Sequence, residues 1–160
     1  MTTAELDMYD IVKNASIGPF SVGRALSEIG NEIGVPDFWS FSPGPQLDFY
    51  ATYGPLEVYI KMKGNLAVIN FLKLKAFKFK RKAIIFNNPY NGKKLEVTIS
   101  NSWRKYDIVR NKIHNLGINF STEFQEEVKS DTSAVLNIGN SVKFYFGSDG
   151  ADNVLETVEL

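Results

Sequence analysis

The chain has no cysteine among its 160 residues. That absence excludes disulfides, thiolate metal sites and thiol catalysis, and it suits a reducing compartment. Only one histidine is present, His114, too few for a histidine metal cluster. No apolar run approaches the roughly 20 residues that a membrane-spanning helix needs. The stretch "MTTAELDMYDIVKNAS" lacks the cationic and apolar regions of a secretory signal. A cytoplasmic address and no membrane partner are therefore expected. GxSxG, HExxH and Walker A patterns are missing, and "GPFSVG" lacks the strand–GxxxxGK[ST]–helix setting of a phosphate loop. His114 falls near the end of an apolar-striped segment, where an imidazole interacts with the last helical carbonyls. Glu126 and Glu127 lie in a polar stretch and read as solvated charge. The expectation is a non-enzymatic protein without cofactor or metal, with carboxylate catalysis the least favoured alternative.

Acidic residues are missing from a whole region. Between Val58 and Leu95 there is no Asp or Glu, against ten Lys or Arg. Residues 1–57 carry eight acids and two bases, and residues 121–160 carry the same numbers. A net charge of zero thus hides a basic centre between two acidic ends, a pattern that bears on partners and internal contacts rather than on fold. The remaining composition, 44% hydrophobic and 22% charged, is that of an ordinary globular chain able to bury a core.

Hydrophobic periodicity divides the chain into two similar halves. The first predicts a helix over about Ser21 to Ile33, with Leu26, Ile29 and Ile33 on its apolar stripe and Gly34 and Pro36 ending it. Gly30, inside that helix, costs about 1 kcal/mol relative to alanine. A loop, "VPDFWSFSPGPQ", leads to "LDFYATY", "LEVYIKM" and "LAVINFLKL", three strands joined by tight turns. The second half predicts a helix capped by Ser102, striped by Trp103, Tyr106, Val109, Ile113 and Leu116, and ended by Gly117. A polar loop and the strands "AVLNI", "SVKFYF" and "NVLETVEL" follow. Gly34, Gly54 and Gly64 match Gly117, Gly139 and Gly150 at nearly constant offset, and residues 57–60 align with 143–146. The fold class expected is α+β, a tandem repeat of an αβββ unit, with an antiparallel sheet and helices packed on one face. Residues 1–90 form the first module with its basic connecting strand and 91–160 the second, together one compact unit. The phase slip at Ala76-Phe77 suggests a bulge. Residues 77–86 and 95–100 are expected to pair around Asn91-Gly92 and to bridge the modules.

Two surfaces are candidates for binding. In "LEVYIK", Leu56, Val58 and Ile60 share one face and Glu57, Tyr59 and Lys61 the other; in "VKFYF", Lys143 and Tyr145 share the face opposite Val142, Phe144 and Phe146. Once helices cover the apolar face, the opposite face shows a tyrosine from each module flanked by charge, a composition enriched at binding hot spots. Solvated cross-strand pairing is the plainer reading of the same residues. Trp39 and Asp37, in the aromatic, proline-rich loop, are secondary candidates, although such aromatics more often fold back onto the core. The second surface is the basic run, with Lys75, Lys78, Lys80, Arg81 and Lys82 interleaved with Phe77 and Phe79. Cations that neutralise phosphates beside aromatics that stack on bases would suit nucleic acid. A lysine-protected edge strand is favoured instead, because the acidic ends would repel a polyanion.

"GPFSVGRALSEIGNEIGVPD" followed by "YGPLEVYIKMKGNLAVI" resembles, from Ile17 to Ile69, small bacterial immunity proteins of polymorphic or contact-dependent growth inhibition toxin systems. The tandem helix-then-sheet arrangement is also similar to the β-lactamase inhibitory protein and to outer-membrane assembly lipoproteins. The second half matches less closely, keeping Gly117, Gly139 and the final strands but carrying Asn119 in place of Pro36. The resemblance implies a non-enzymatic inhibitor that binds the C-terminal domain of a cognate toxin. A basic nuclease met by the acidic ends is one version, and an acidic docking face met by the basic centre is the other. The β-lactamase inhibitory protein is disulfide-bonded and this chain lacks cysteine, which places the immunity reading ahead.

Overall fold

Leu56, Val58 and Ile60 are buried, whereas Glu57, Tyr59 and Lys61 between them are only partly so. This two-residue period sets the architecture, because a strand with one apolar face must bury it against a second layer. In the computed structural model, residues 2–6, 8–42, 48–76, 83–87, 94–98, 100–124, 132–149 and 152–160 are described. In chain order the elements are β1 (Thr2–Glu5), α1 (Met8–Asn14), β2 (Ser16–Ile17), β3 (Phe20–Ser21), α2 (Leu26–Ile33), β4 (Phe38–Ser42), β5 (Asp48–Tyr53), β6 (Leu56–Lys63) and β7 (Leu66–Lys75). They continue with β8 (Ala83–Asn87), β9 (Lys94–Thr98), a 3-10 turn (Asn101–Trp103), α3 (Tyr106–Asn115), β10 (Phe120–Phe124), β11 (Thr132–Ile138), β12 (Val142–Asp149) and β13 (Asp152–Glu159). The fold is α+β with mostly antiparallel pairing.

Eight strands form the main sheet in the order β10-β11-β12-β13-β7-β6-β5-β4. Each helix, α2 or α3, is followed by a four-stranded meander, and the last strands of the two meanders, β7 and β13, join antiparallel at the centre. Lys73, Leu74 and Lys75 face Glu159, Val158 and Thr157 there, and Leu72 and Leu160 exchange two 3.0 Å backbone hydrogen bonds. A bulge interrupts β6–β7 between Tyr59 and Ile60, and another interrupts β12–β13 between Tyr145 and Phe146. The extra residues, Asn70 and Glu156, are polar, and the bulges leave the apolar phase intact on either side. One buried cluster contains Ile29 and Ile33 of α2, Val109 and Ile113 of α3, and the inward residues of both meanders.

Several expectations change. The first helix begins at Leu26, not near Ser21, because Phe20–Ser21 pairs with β2 and the Gly23–Arg24 backbone bonds to the sheet. The N–H of Gly23 donates to the Ile69 carbonyl at 2.7 Å and that of Ile69 to the Arg24 carbonyl at 2.9 Å. Gly23 supports this with φ of +89°, a conformation that favours glycine. The second helix begins at Tyr106, and Ser102 accepts from the Lys112 ammonium at 2.6 Å rather than capping it. The segments expected as loops contain β4 and β10, so each meander has four strands rather than three. A bulge lies at Asn70; the one expected at Ala76-Phe77 falls at the limit of the described residues, with Phe77 outside them. β8 and β9 do pair, but in a separate three-stranded sheet with β1 in the order β1-β9-β8. The halves are bridged instead by β7 and β13. Asn91-Gly92, Phe77, Phe79 and Gly150 lie outside the described residues.

Candidate functional site

The face of the main sheet turned away from the helices carries a charge ladder. Four residues stand side by side on the four central strands: Lys143 opposite Glu159, Glu159 opposite Lys73, and Lys73 opposite Glu57. Signs alternate along the row, so every cross-strand neighbour is attractive. The Lys73 ammonium lies 3.5 Å from a Glu159 carboxylate oxygen, and Lys75 forms an ion pair with Glu57. Strand spacing of about 4.8 Å makes the row roughly 14 Å wide.

A tyrosine stands at each end of this ladder. The Tyr59 hydroxyl donates to Glu57 Oε2 at 3.0 Å, and that of Tyr145 to Glu159 Oε2 at 2.8 Å. From the register and the strand dimensions, the two Cα atoms are about 20 Å apart. Partial burial, the hydrogen bond to Glu57 and the charge of that carboxylate push the Tyr59 hydroxyl up to about 12. Burial and Glu159 do the same for Tyr145, again to about 12. Both rings therefore present neutral phenols at any physiological pH. Burial opposes ionisation of Glu57, but the Lys75 ammonium and the Tyr59 hydroxyl outweigh it and hold the carboxyl below the usual glutamate range.

The first meander adds an aromatic row. Tyr59 stacks on Tyr50 with ring centroids 5.6 Å apart and meets the edge of Phe71 at 5.4 Å. Phe38 continues the row 6.0 Å from Tyr50. The second meander is polar at the corresponding edge, where Asn137 donates to Glu123 Oε1 at 2.9 Å.

Of the residues singled out from the sequence, Glu57, Tyr59, Lys61, Lys143 and Tyr145 lie on this one face. Trp39 does not. It shares the helix side of β4 with Phe41, edge to face at 5.1 Å, and borders an apolar cavity of about 360 Å³ under α2, lined also by Phe20, Leu26, Phe49, Ala51 and Val58. Trp39 is exposed, as are Phe38 and Phe41, so these aromatics do not fold back onto the core. Asp37 acts locally instead, on its own backbone surroundings. Its carboxylate accepts the Gly54 N–H at 2.6 Å and its own N–H donates to the Thr52 carbonyl at 2.8 Å. This clamp holds the β5–β6 turn. Lys75 of the basic run faces Glu57, while Lys78, Lys80, Arg81 and Lys82 lie outside the described residues. Sequence reasoning missed Lys73, Glu159, Tyr50 and Phe71. Their outward phase was readable, but their partners depend on the seam.

Among the described residues no group of three or more His, Asp or Glu side chains could hold a metal ion, and no helix is long and apolar enough to cross a membrane. No protein-family model, no curated protein and no solved structure matches this chain.

Proposed function

We propose that this chain is a non-enzymatic immunity protein that binds the C-terminal domain of a cognate toxin, a nuclease, in the cytoplasm and neutralises it. The single observation that carries this reading is the pair of neutral, hydrogen-bonded tyrosines held at opposite ends of a charge ladder on an open sheet face. Rigid tyrosines give large contact area at low entropic cost. The ladder pre-orients Glu57, Lys73, Lys143 and Glu159 before a partner arrives, which lowers the ordering cost of association. Alternating charge gives register specificity rather than general attraction to one sign. The resemblance of residues 17–69 to immunity proteins supports the same class.

An internal duplication of a helix-plus-meander unit accompanies this reading. Ala25 bridges to Val68 and Lys105 to Val154, so the residue before each helix touches the last strand of its own meander. Gly34 and Gly117 follow the two helices, with φ of +64° and +67°. The bulges after Tyr59 and Tyr145 fall at the same offset as Val68 and Val154. Nucleic-acid binding through the basic run is the weaker reading, since Lys73 and Lys75 are turned to carboxylates.

The experiment is a binding assay between this protein and the C-terminal domain of the toxin encoded beside its gene. Replacing both tyrosines, Tyr59→Ala with Tyr145→Ala, is expected to weaken the complex by more than about 2 kcal/mol while circular dichroism stays unchanged. Unchanged affinity removes the open face as the site. A DNA gel shift that falls steeply with salt would favour the nucleic-acid reading instead.

A further inference from the structure

β4 is an unusual sheet edge. Edge strands are normally blunted by charge, proline or a bulge, because their free N–H and C=O groups template pairing with another chain. β4 reads Phe38-Trp39-Ser40-Phe41-Ser42, without charge, proline or register shift. Among the described residues no strand covers its outer side. Its three aromatics are exposed, Phe38 by 53%, Trp39 by 58% and Phe41 by 55%. The opposite edge, β10, is protected by Glu123, which also accepts from Asn137.

We propose that β4 pairs antiparallel with β4 of a second copy of this chain, about a two-fold axis at Ser40. The strand is self-complementary in that register. Ser40 meets Ser40, Phe38 meets Ser42, and Trp39 meets Phe41 of the second copy. Both strands are uncharged, so the pairing brings no like charges together, and a two-fold edge contact closes after two chains. Trp39 and Phe41 share the helix side, so the axis gathers four aromatic rings beside the mouth of the apolar cavity that Trp39 lines. The hydroxyls of Ser40 fall on the open side, where the sheet runs on through the second copy.

The area sets the strength. Aromatic side chains of 150–250 Å² that are half exposed offer on the order of 300 Å² per copy. Two copies and the paired backbones reach about 1,000 Å², the lower limit of a specific interface. An area at that limit suits a reversible dimer rather than an obligate one. The contact leaves the Tyr59 and Tyr145 face open, so this inference is independent of toxin binding.

Sedimentation velocity from micromolar to near-millimolar concentration is expected to show a monomer–dimer equilibrium. Ser40→Lys, which sets two ammonium groups against each other at the axis, should raise the dimer dissociation constant at least tenfold with an unchanged circular dichroism spectrum. Because the chain has no cysteine, Ser40→Cys gives a single reporter. A short bis-maleimide should bridge it into a covalent dimer, while Ser121→Cys on β10 remains unbridged. A monomer at every concentration, equal bridging of the two cysteine variants, or a series of larger species from β4-to-β10 pairing would each overturn the proposal.

Discussion

The two meanders share a backbone plan and differ in what fills it. At the register position opposite Val58 the first carries Ala51, whereas the second sets Leu136 against Phe144. The first leaves a cavity of about 360 Å³ there, while the second sets larger side chains at that layer. There Trp103 stacks on Phe144 at 6.4 Å, and Tyr106 meets Phe146 edge to face at 5.2 Å. On the open face the contrast reverses. The first meander has the aromatic row and the second the polar edge. Charges are inverted as well, Glu57 facing Lys73 and Lys143 facing Glu159. The same strand geometry thus supports one half stabilised by core packing and another with room beneath it.

The largest test of that contrast is in the core. Phe144→Ala should cost about 3–5 kcal/mol by urea denaturation, the cost of removing a buried phenyl ring from a packed site. Enlarging the same layer should separate the halves: Ala51→Leu grows into the cavity with a change below about 1 kcal/mol, whereas Leu136→Phe overpacks by about 1–3 kcal/mol. Equal effects of the two enlargements would erase the distinction. Next comes the ladder. Lys73→Glu makes three adjacent acids and should cost about 1–2 kcal/mol, roughly twice the cost of Lys143→Glu at the row's end. High salt should shrink both.

Gly30 bears on the helices. It is exposed, and a Cβ there would meet nothing within 4 Å, so no close approach to the sheet explains it. Gly30→Ala should raise stability by up to about 1 kcal/mol, read as a shift of the denaturation midpoint. The smallest effect is the pH dependence. A hydroxyl whose folded pKa exceeds its unfolded value stabilises below the unfolded value and loses that contribution as pH rises. For Tyr59 and Tyr145 the loss runs from about 10 to about 12. Glu57 has the opposite sign: its contribution is present above the usual glutamate range and is lost as pH falls through its lowered value. Ultraviolet titration should show late-ionising phenols of which Tyr59→Phe and Tyr145→Phe each remove one, leaving that of Tyr53, which burial and Asp37 also push up to about 12, and Glu57→Gln should flatten the acid limb of the stability curve.

The central strands were legible because alternation leaves a strong trace where one face is buried. β4 and β10 were not, since an edge strand with flanking proline or polar residues has a weaker period. Helix starts were misread for a related reason. The 21–25 stretch continues the apolar spacing of α2, yet its backbone pairs with Ile69, a tertiary contact that local periodicity does not encode. The open face was legible as Glu57, Tyr59, Lys61, Lys143 and Tyr145. Its ladder was not, because Lys73 and Glu159 are 86 positions apart and only the seam makes them neighbours.

Folding inherits an order from that seam. Each meander can zip from turn to adjacent turn, with short loops to close. The β7–β13 pairing instead joins strands separated by most of the second half of the chain, and its ladder is brief. Distant pairing is slow because the closure entropy comes before the contacts that repay it. Two fast local zippers and one slow long-range closure are therefore built into the chain. Until that closure, the inner edges of both half-sheets lie open, and Lys73 and Glu159 lack each other.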